Sequence, residues 1–316
     1  VLSGQSAVGG VLSIITKRPQ KAFGASAAVV LGNHEQRVAN VDVTGALTAD
    51  GRLAARFTAE VERSGTFVDF QDLDRNNAAL ALRWELLPAV TLHALGEYTE
   101  RRTLGNPGLP VLGTVQSNGV AAIPRGRFLG EPSLRPLTAD APLTQLWADI
   151  DLGSGWTLTP RWQHQGFNSA FSQIRVRDMQ ADGVTLNRNG RYGEENDTYR
   201  IAQLDLQGRF NTGGVTHQLL AGVEASTEYG TFFQENLSNV GAINVLNPVY
   251  TYPGVAPATT FAFDFVGDGK GRALYLQDLI ALAPHWDMIV GLRRSTFDYR
   301  QTFNGSVDDS KLAATT

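Results

Sequence analysis

A period of two runs through this chain, and the connections that interrupt it are alternately very short and very long. Arg52 to Arg63 reads R-L-A-A-R-F-T-A-E-V-E-R, with Leu53, Ala55, Phe57, Ala59 and Val61 on one face and Arg52, Arg56, Thr58, Glu60 and Glu62 mainly on the other. Successive side chains of a strand point to opposite sides, so this segment has one apolar and one charged face. The pattern returns where Trp156, Leu158 and Trp162 alternate with Thr157, Thr159, Arg161 and Gln163. It returns again in Ala202, Leu204, Leu206, Gly208 and Phe210 set against Gln203, Asp205, Gln207 and Arg209, and in Leu219, Ala221, Val223 and Ala225. No long amphipathic helix competes with it.

Short turns are expected at Thr48-Ala49-Asp50-Gly51, Leu87-Pro88-Ala89, Gly153-Ser154-Gly155, Asn211 to Val215 and Pro284-His285. Longer insertions are expected at Ser64 to Arg75, Arg102 to Pro142, Asn168 to Asp197 and Gly230 to Lys270. After a first tight connection near Gly32 to Gln36, short and long alternate strictly. In an up-and-down sheet this order places all short turns on one rim and all long loops on the other. Compact soluble domains rarely carry several structureless loops of ~30 residues, whereas a transmembrane barrel has short turns at one end and long loops at the other.

The fold class that follows is all-β, a transmembrane antiparallel barrel. Its strands are about ten residues or a little longer, enough to cross a bilayer at a tilt. A soluble β-sandwich also alternates, but its polar face should be mostly Lys, Glu and Thr on short, evenly spaced strands. Here the apolar face is rich in Leu, Ala and Val, and Trp84, Tyr98, Trp156, Trp286 and Tyr299 recur near strand ends as an interfacial girdle would. The mean hydropathy of -0.15 is compatible with this reading, because alternating strands average out. No run approaches the ~18 apolar residues of a spanning helix.

Composition narrows the function. With no Cys among 316 residues, disulfides, thiol catalysis and Cys-based zinc sites are excluded. A net charge of -4 argues against nucleic acid as a partner. The five His (positions 34, 93, 164, 217 and 285) are scattered without metal-ligand spacing. Gly267-Asp268-Gly269-Lys270-Gly271 superficially resembles a phosphate loop but lacks the following Ser or Thr and precedes a strand, so it is expected to be a flexible loop end. Asp149 and Asp151 share one strand face, as on a polar wall facing water. Catalytic residues, resident metals and cofactors are therefore not expected.

The long insertions carry the binding chemistry. Tyr229, Phe232, Phe233, Tyr250 and Tyr252 approach or enter one of them, and Arg125, Arg127 and Phe128 lie in another. Exposed aromatics and Arg are what a binding surface uses, though the same residues also serve to pack loops together.

The N-terminal stretch VLSGQSAVGGVLSIITKRPQ resembles the end of the plug domain of TonB-dependent outer-membrane receptors, whose pattern is V-L-Y-G-x-x-x-x-G-G-x-x-N-x-x-T-K-R-P. Val1, Leu2, Gly4, Gly9, Gly10, Thr16, Lys17, Arg18 and Pro19 match, while Ser3 replaces the usual Tyr and Ser13 the usual Asn. Arg63 to Phe70 is similar to the family's second extracellular loop. Ile123-Pro124-Arg125-Gly126-Arg127-Phe128-Leu129-Gly130-Glu131-Pro132 is similar to a third-loop motif of the ferric-siderophore branch. Gly271 to Arg293 is similar to a strand, turn and strand midway round that barrel.

The resemblance implies residues 1–20 as the C-terminal end of a plug and residues 21–316 as the first half of a barrel. About eleven strands are expected, half of a barrel of about 22. Val1 is not a native start, so the chain is expected to be a fragment. The resemblance further implies a receptor, not an enzyme, that imports a ferric siderophore. It would be energised by TonB and would sit as a monomer among outer-membrane lipid and lipopolysaccharide of a Gram-negative cell. Gly4, Gly9 and Gly10 would allow close backbone approach in the plug, and Lys17, Arg18 and Pro19 would end it. Arg125, Arg127, Tyr229, Phe232, Phe233, Tyr250 and Tyr252 are the ligand candidates, aromatics suiting flat chelates and Arg their negative charge. Receptors for cobalamin, haem or a glycan share the architecture, and a passive porin or adhesin is the reading from another class.

Overall fold

The computed structural model describes residues 15–251, 258–283 and 285–315. Among these residues the secondary structure is all strand. The strands are β1 (Gly24–Leu31), β2 (Arg37–Ala46), β3 (Leu53–Gly65), β4 (Asp72–Leu87), β5 (Val90–Thr103), β6 (Leu137–Gly153) and β7 (Trp156–Met179). They continue as β8 (Thr185–Thr212), β9 (Val215–Leu237), β10 (Ile243–Asn244), β11 (Thr259–Ala283), β12 (Trp286–Phe303) and β13 (Ser306–Thr315). All pair antiparallel in one sheet in chain order, except that the short β10 adds to β8. The wall thus has more strands than the eleven or so expected from the sequence.

The two faces of this sheet carry the chemistry that the alternation foretells, with the exposure of a soluble protein reversed. On β11 the apolar Leu274 is 60% exposed while its neighbours Ala273 and Tyr275 are 6% and 8%. On β12, Leu292 is 58% exposed and the adjacent Arg293 only 5%. Phe57, Val61, Leu80, Trp84, Leu146, Leu204 and Val223 are likewise exposed, each on the apolar face of its strand. The polar face is satisfied internally. Arg56 donates to Asp42 Oδ2 at 2.6 Å, Arg293 pairs with Glu224 at 3.0 Å, and His93 Nε2 lies 3.1 Å from Asp149. A continuous exposed apolar face of this size is unstable in water and is at home in a bilayer. No second sheet covers it among the described residues, which disposes of the sandwich.

Aromatics collect where the apolar face meets the short turns. Trp156 stacks on Phe210 at 6.2 Å, and Phe210 on His217 at 4.8 Å, beside the turns at 154–155 and 213–214. Trp286 is 72% exposed next to the turn at His285. Tyr299 departs from the girdle reading. It is in register with Gly269 on the polar face, and its hydroxyl overlies Gly267.

Three further expectations are corrected. The predicted insertion from Asn168 to Asp197 is mostly strand, because β7 and β8 stay paired up to Val176 and Arg188, leaving only 180–184 as a loop. The stretch Gly230 to Lys270 is strand at both ends, since β9 runs to Leu237 and β11 begins at Thr259, and the short β10 falls between them. β8 has 28 residues, roughly 90 Å of strand, against an apolar core of ~30 Å. Much of it therefore stands in water. There most side chains are polar, the period-two signal thins to a few apolar residues such as Ile174 and Leu186, and backbone pairing carries the strand on. Gly267 to Gly271, read as a loop end, is likewise inside β11: the Phe297 and Tyr299 side chains cover its glycines.

Candidate functional site

The fully buried side chains lie above the apolar band, where the long connections meet. One cluster holds Ile123, Leu129, Leu186, Ile243 and Val245, and a second holds Leu134, Ile174 and Leu237. Each draws on the 104–136 connection, the β7–β8 hairpin and the segment after β9. At their centre Arg188 Nη2 pairs with Glu131 Oε1 at 2.7 Å, the two side chains being 2% and 0% exposed. Arg188 also donates to the carbonyls of Leu129, Gly130 and Gly241 at 3.1, 2.9 and 2.9 Å. One guanidinium thus ties a strand to two separate connections.

The Ile123 to Pro132 motif has a steric explanation. A Cβ on Gly126 would stand 2.6 Å from the Phe67 carbonyl, and one on Gly130 would stand 2.4 Å from the Phe128 ring. Both positions need Gly so that the connection can close onto the 66–71 loop, where the Asp69 amide donates to Gly126 O at 2.9 Å. Phe128 is wholly buried and sits 5.9 Å from the Phe70 ring; Phe70 meets Tyr250 edge-on at 5.3 Å.

The ligand candidates divide into three groups. Arg127 and Tyr250 come together: Arg127 Nη2 donates to Leu246 O at 2.8 Å, and the Tyr250 hydroxyl to Phe128 O at 2.8 Å. Burial pushes the Tyr250 phenol above its ordinary range. With Asp69, Phe70 and residues 246–249 they line an open pocket of about 660 Å³. Arg127 Nε is buried there without a hydrogen-bond partner in the protein. Arg125 stands nearby with its guanidinium 4.8 Å over the Phe67 ring. Arg127 and Tyr250 therefore pack the loops and line the pocket at once, while Arg125 only packs against the 66–71 loop.

Phe232 belongs to a different surface. It lies on the same strand face as Glu224, between Phe171 at 6.2 Å and Phe263 at 5.5 Å, and Phe263 continues to Phe303 at 5.5 Å. Arg191, bonded to Gln173, covers Phe171 at 4.9 Å. This ladder crosses the upper part of the polar face. Tyr229 and Phe233 lie on the opposite face in line with Val223, Phe233 against Phe261 at 6.1 Å, and do not join either group. Tyr252, like Gly4, Gly9 and Gly10, lies outside the described residues.

Sequence reasoning overlooked Phe171, Phe263, Phe303, Arg188 and Arg191, all on strands that read as loop or whose register was unknown. Phe70 was within reach, since it closes the Arg63 to Phe70 motif. No cluster of three His, Asp or Glu with metal-binding geometry occurs among the described residues.

Residues 17–21 lie on the polar face. Lys17 Nζ reaches Asp42 at 2.8 Å, Arg56 donates to Arg18 O at 3.2 Å, and Lys21 reaches Glu85 at 2.8 Å. Gln20 N donates to Thr44 Oγ1 at 2.9 Å. Pro19 sits between these anchors.

Comparisons with known proteins agree with this architecture. Residues 96–315 match the family described as TonB dependent receptor-like, beta-barrel. The chain is 29% identical over 317 residues to the metal-pseudopaline receptor CntO of Pseudomonas aeruginosa strain UCBPP-PA14, covering 96% of this chain and 42% of that protein. It is 26% identical over 259 residues to the ferrioxamine B receptor of Salmonella typhimurium strain SL1344, covering 79% and 36%. The chain thus spans less than half the length of these curated relatives. Among solved structures it superposes on the siderophore receptor PiuA from Acinetobacter baumannii with a TM-score of 0.81 at 16% identity, over 95% of this chain and 47% of the other. The closed form of the ferric-catecholate import receptor Fiu from E. coli K12 gives the same TM-score and identity over 96% and 48%. These structural matches show the fold.

Proposed function

From the premise that the chain belongs to the TonB dependent receptor-like β-barrel family, we propose that it is part of an outer-membrane receptor that imports a ferric siderophore. Members of this family are receptors and not enzymes, and they reside in the outer membrane, where the exposed apolar face meets lipid. The observation that carries the reading is the pocket walled by Asp69, Phe70, Arg127 and Tyr250 at the long-connection end. A guanidinium beside two aromatic rings suits an anionic, flat-ligand chelate. The relatives named for ferrioxamine B and for metal-pseudopaline favour a metal chelate over cobalamin, haem or a glycan.

In this reading residues up to about 20 close the plug. Gly4, Gly9 and Gly10 allow its backbone to run close to the wall, and Lys17 to Lys21 fasten its end to the polar face through Asp42, Thr44 and Glu85. The rest of the chain is the first half of the barrel. The chelate enters between the loops and passes the Phe171, Phe232, Phe263, Phe303 ladder once TonB, drawing on the inner-membrane proton gradient, displaces the plug. A chelate of a metal other than iron is the second reading, favoured by the relative named for metal-pseudopaline.

The deciding experiment is radio-metal uptake by metal-starved cells expressing the full-length receptor, with and without functional TonB. Hydroxamate, catecholate and mixed iron chelates are offered beside chelates of other transition metals. TonB-dependent uptake of one chelate class is expected. Uptake that survives loss of TonB would mean a passive channel, and uptake of no metal chelate would reject the reading.

A further inference from the structure

Two arginines stand at the loop end of the aromatic ladder, Arg175 on β7 and Arg191 on β8. Gln173 is in register with Arg191, so Phe171, Gln173 and Arg175 share one face with it. Phe171 touches Phe232 on that face, which places both guanidiniums on the polar inner wall above the ladder. Ile174, between Gln173 and Arg175, turns the other way into the buried cluster with Leu134 and Leu237.

Neither cation is paired with an acid among the described residues. Arg191 is held by neutral groups: Nε and Nη2 donate to Gln173 Oε1 at 3.1 and 2.9 Å, and Nη1 to Gln234 Oε1 at 3.3 Å. Its guanidinium carbon lies 4.9 Å from the centre of the Phe171 ring. A guanidinium has five N–H groups, so part of its donor capacity is unspent. Arg175 is half-buried and makes no hydrogen bond or ion pair among the described residues; its Nε is enclosed while its terminal nitrogens are not. Burial, with the charge of Arg177, pulls Arg175 below its ordinary pKa, and burial, with the charge of Arg175, does the same to Arg191. Asp178, the acid nearest in sequence, is taken by Asn187 at 2.7 Å. Other arginines of the polar face have acids of their own, Arg56 with Asp42, Arg75 with Glu60 and Glu62, and Arg293 with Glu224.

We propose that Arg175 and Arg191 bind free carboxylates on the outer shell of the chelate, so that the substrate class is a carboxylate-bearing metal chelate. This rests on the proposed uptake function and adds a second cationic station to the pocket at Arg127. Half-buried like charges destabilise one another, and a bound anion relieves them. The planar guanidinium fork matches the two oxygens of a carboxylate. In a hydroxamate or catecholate chelate both oxygens of each group are on the metal, so neither offers such a pair. The Phe171 and Phe232 rings just below receive the apolar body of the ligand.

The test is calorimetric titration of the full-length receptor in mild detergent. The probes are the iron(III) complex of a citrate-based dihydroxamate and the nickel(II) complex of an aminopolycarboxylate, each with a carboxylate free of the metal. Their methyl esters, ferrioxamine B and an iron(III) tris-catecholate complete the set. One of the two carboxylate chelates should bind the wild type, and its ester about tenfold more weakly. The Arg175→Gln, Arg191→Gln pair should weaken the free acid about tenfold and no longer tell it from the ester, a loss of discrimination that a merely structural role would not produce. The Arg175→Lys, Arg191→Lys pair keeps the charge and should recover part of the affinity, which separates lost recognition from failure to fold. A Gln pair that still prefers the acid to the ester would overturn the proposal. So would a wild type that binds ferrioxamine B or the tris-catecholate and neither carboxylate chelate, and that result would leave the uptake function standing. A wild type that binds no chelate of any class would sink the uptake function and this inference together.

Discussion

Arg188 and Glu131 form an ion pair with almost no exposed side-chain surface, 57 residues apart in sequence and joined at 2.7 Å. Three carbonyls complete the guanidinium's bonding, so a single side chain fixes how the 104–136 connection and the segment after β9 meet the β8 strand. Replacing Arg188 with Ala leaves a buried carboxylate unpaired, a loss of about 3–5 kcal/mol. In the full-length receptor, amide exchange should rise at 123–131 and 241–246 while the lower halves of β7 and β8 stay protected. Unchanged exchange at those loop amides would show that the pair does not hold the assembly.

Arg125 and Arg127 lie in the same motif but face different partners, the Phe67 ring and the Leu246 carbonyl. Arg127→Ala is expected to weaken chelate binding by about tenfold or more, and Arg125→Ala by less, because a cation over an exposed ring is worth only about 1 kcal/mol. Equilibrium binding of the labelled chelate to both single variants decides it; unchanged affinity in both would remove them from the site.

Phe232 and Tyr229 are three residues apart on β9 and occupy opposite faces. Phe232→Ala interrupts the ladder between Phe171 and Phe263 and should slow uptake with little effect on surface binding. Tyr229→Ala should leave both unchanged. The contrast is measured as uptake rate against equilibrium binding in whole cells, and a Tyr229 defect as large as that of Phe232 would contradict the assignment of faces.

Leu276 lies in the apolar band in register with Leu292 and Ala221. Leu276→Arg places a charge against hydrocarbon and should lower stability by about 2–4 kcal/mol, whereas Gln277→Ala on the polar face should change it by about 0.5 kcal/mol or less. Urea unfolding of the full-length receptor in lipid vesicles reads both.

Gly269 faces Phe297 and Glu228, where an added Cβ would stand 2.8 Å from the ring and 2.5 Å from the Glu228 Cγ. Gly269→Val should therefore cost about 1–3 kcal/mol, read in the same unfolding assay. Gly96, which has nothing within 4 Å of such a Cβ, should accept Ala without loss.

The sequence alone determined the all-β class, the two-faced strands and the positions of the short turns. Each depends on side chains at fixed spacing or on local turn chemistry. Phe57, Leu204 and Val223 had to share the exposure of an outer wall once their neighbours were Arg56, Gln203 and Glu224, since a strand alternates whatever it packs against. The resemblance in Ile123 to Pro132 likewise pointed to the connection where Arg127 now lines a pocket with Tyr250.

What only the tertiary structure decided was how far pairing continues past the membrane and which distant residues meet. Past the membrane the β7–β8 hairpin is mostly polar, and its few apolar side chains, Ile174, Val176 and Leu186, pack against the long connections, so backbone hydrogen bonds to a partner more than a hydrophobic period define those strands. The same gap hid Arg188, Phe171 and Phe263. Their roles depend on register with strands dozens of residues away, and a shift of one position would turn each to the other face.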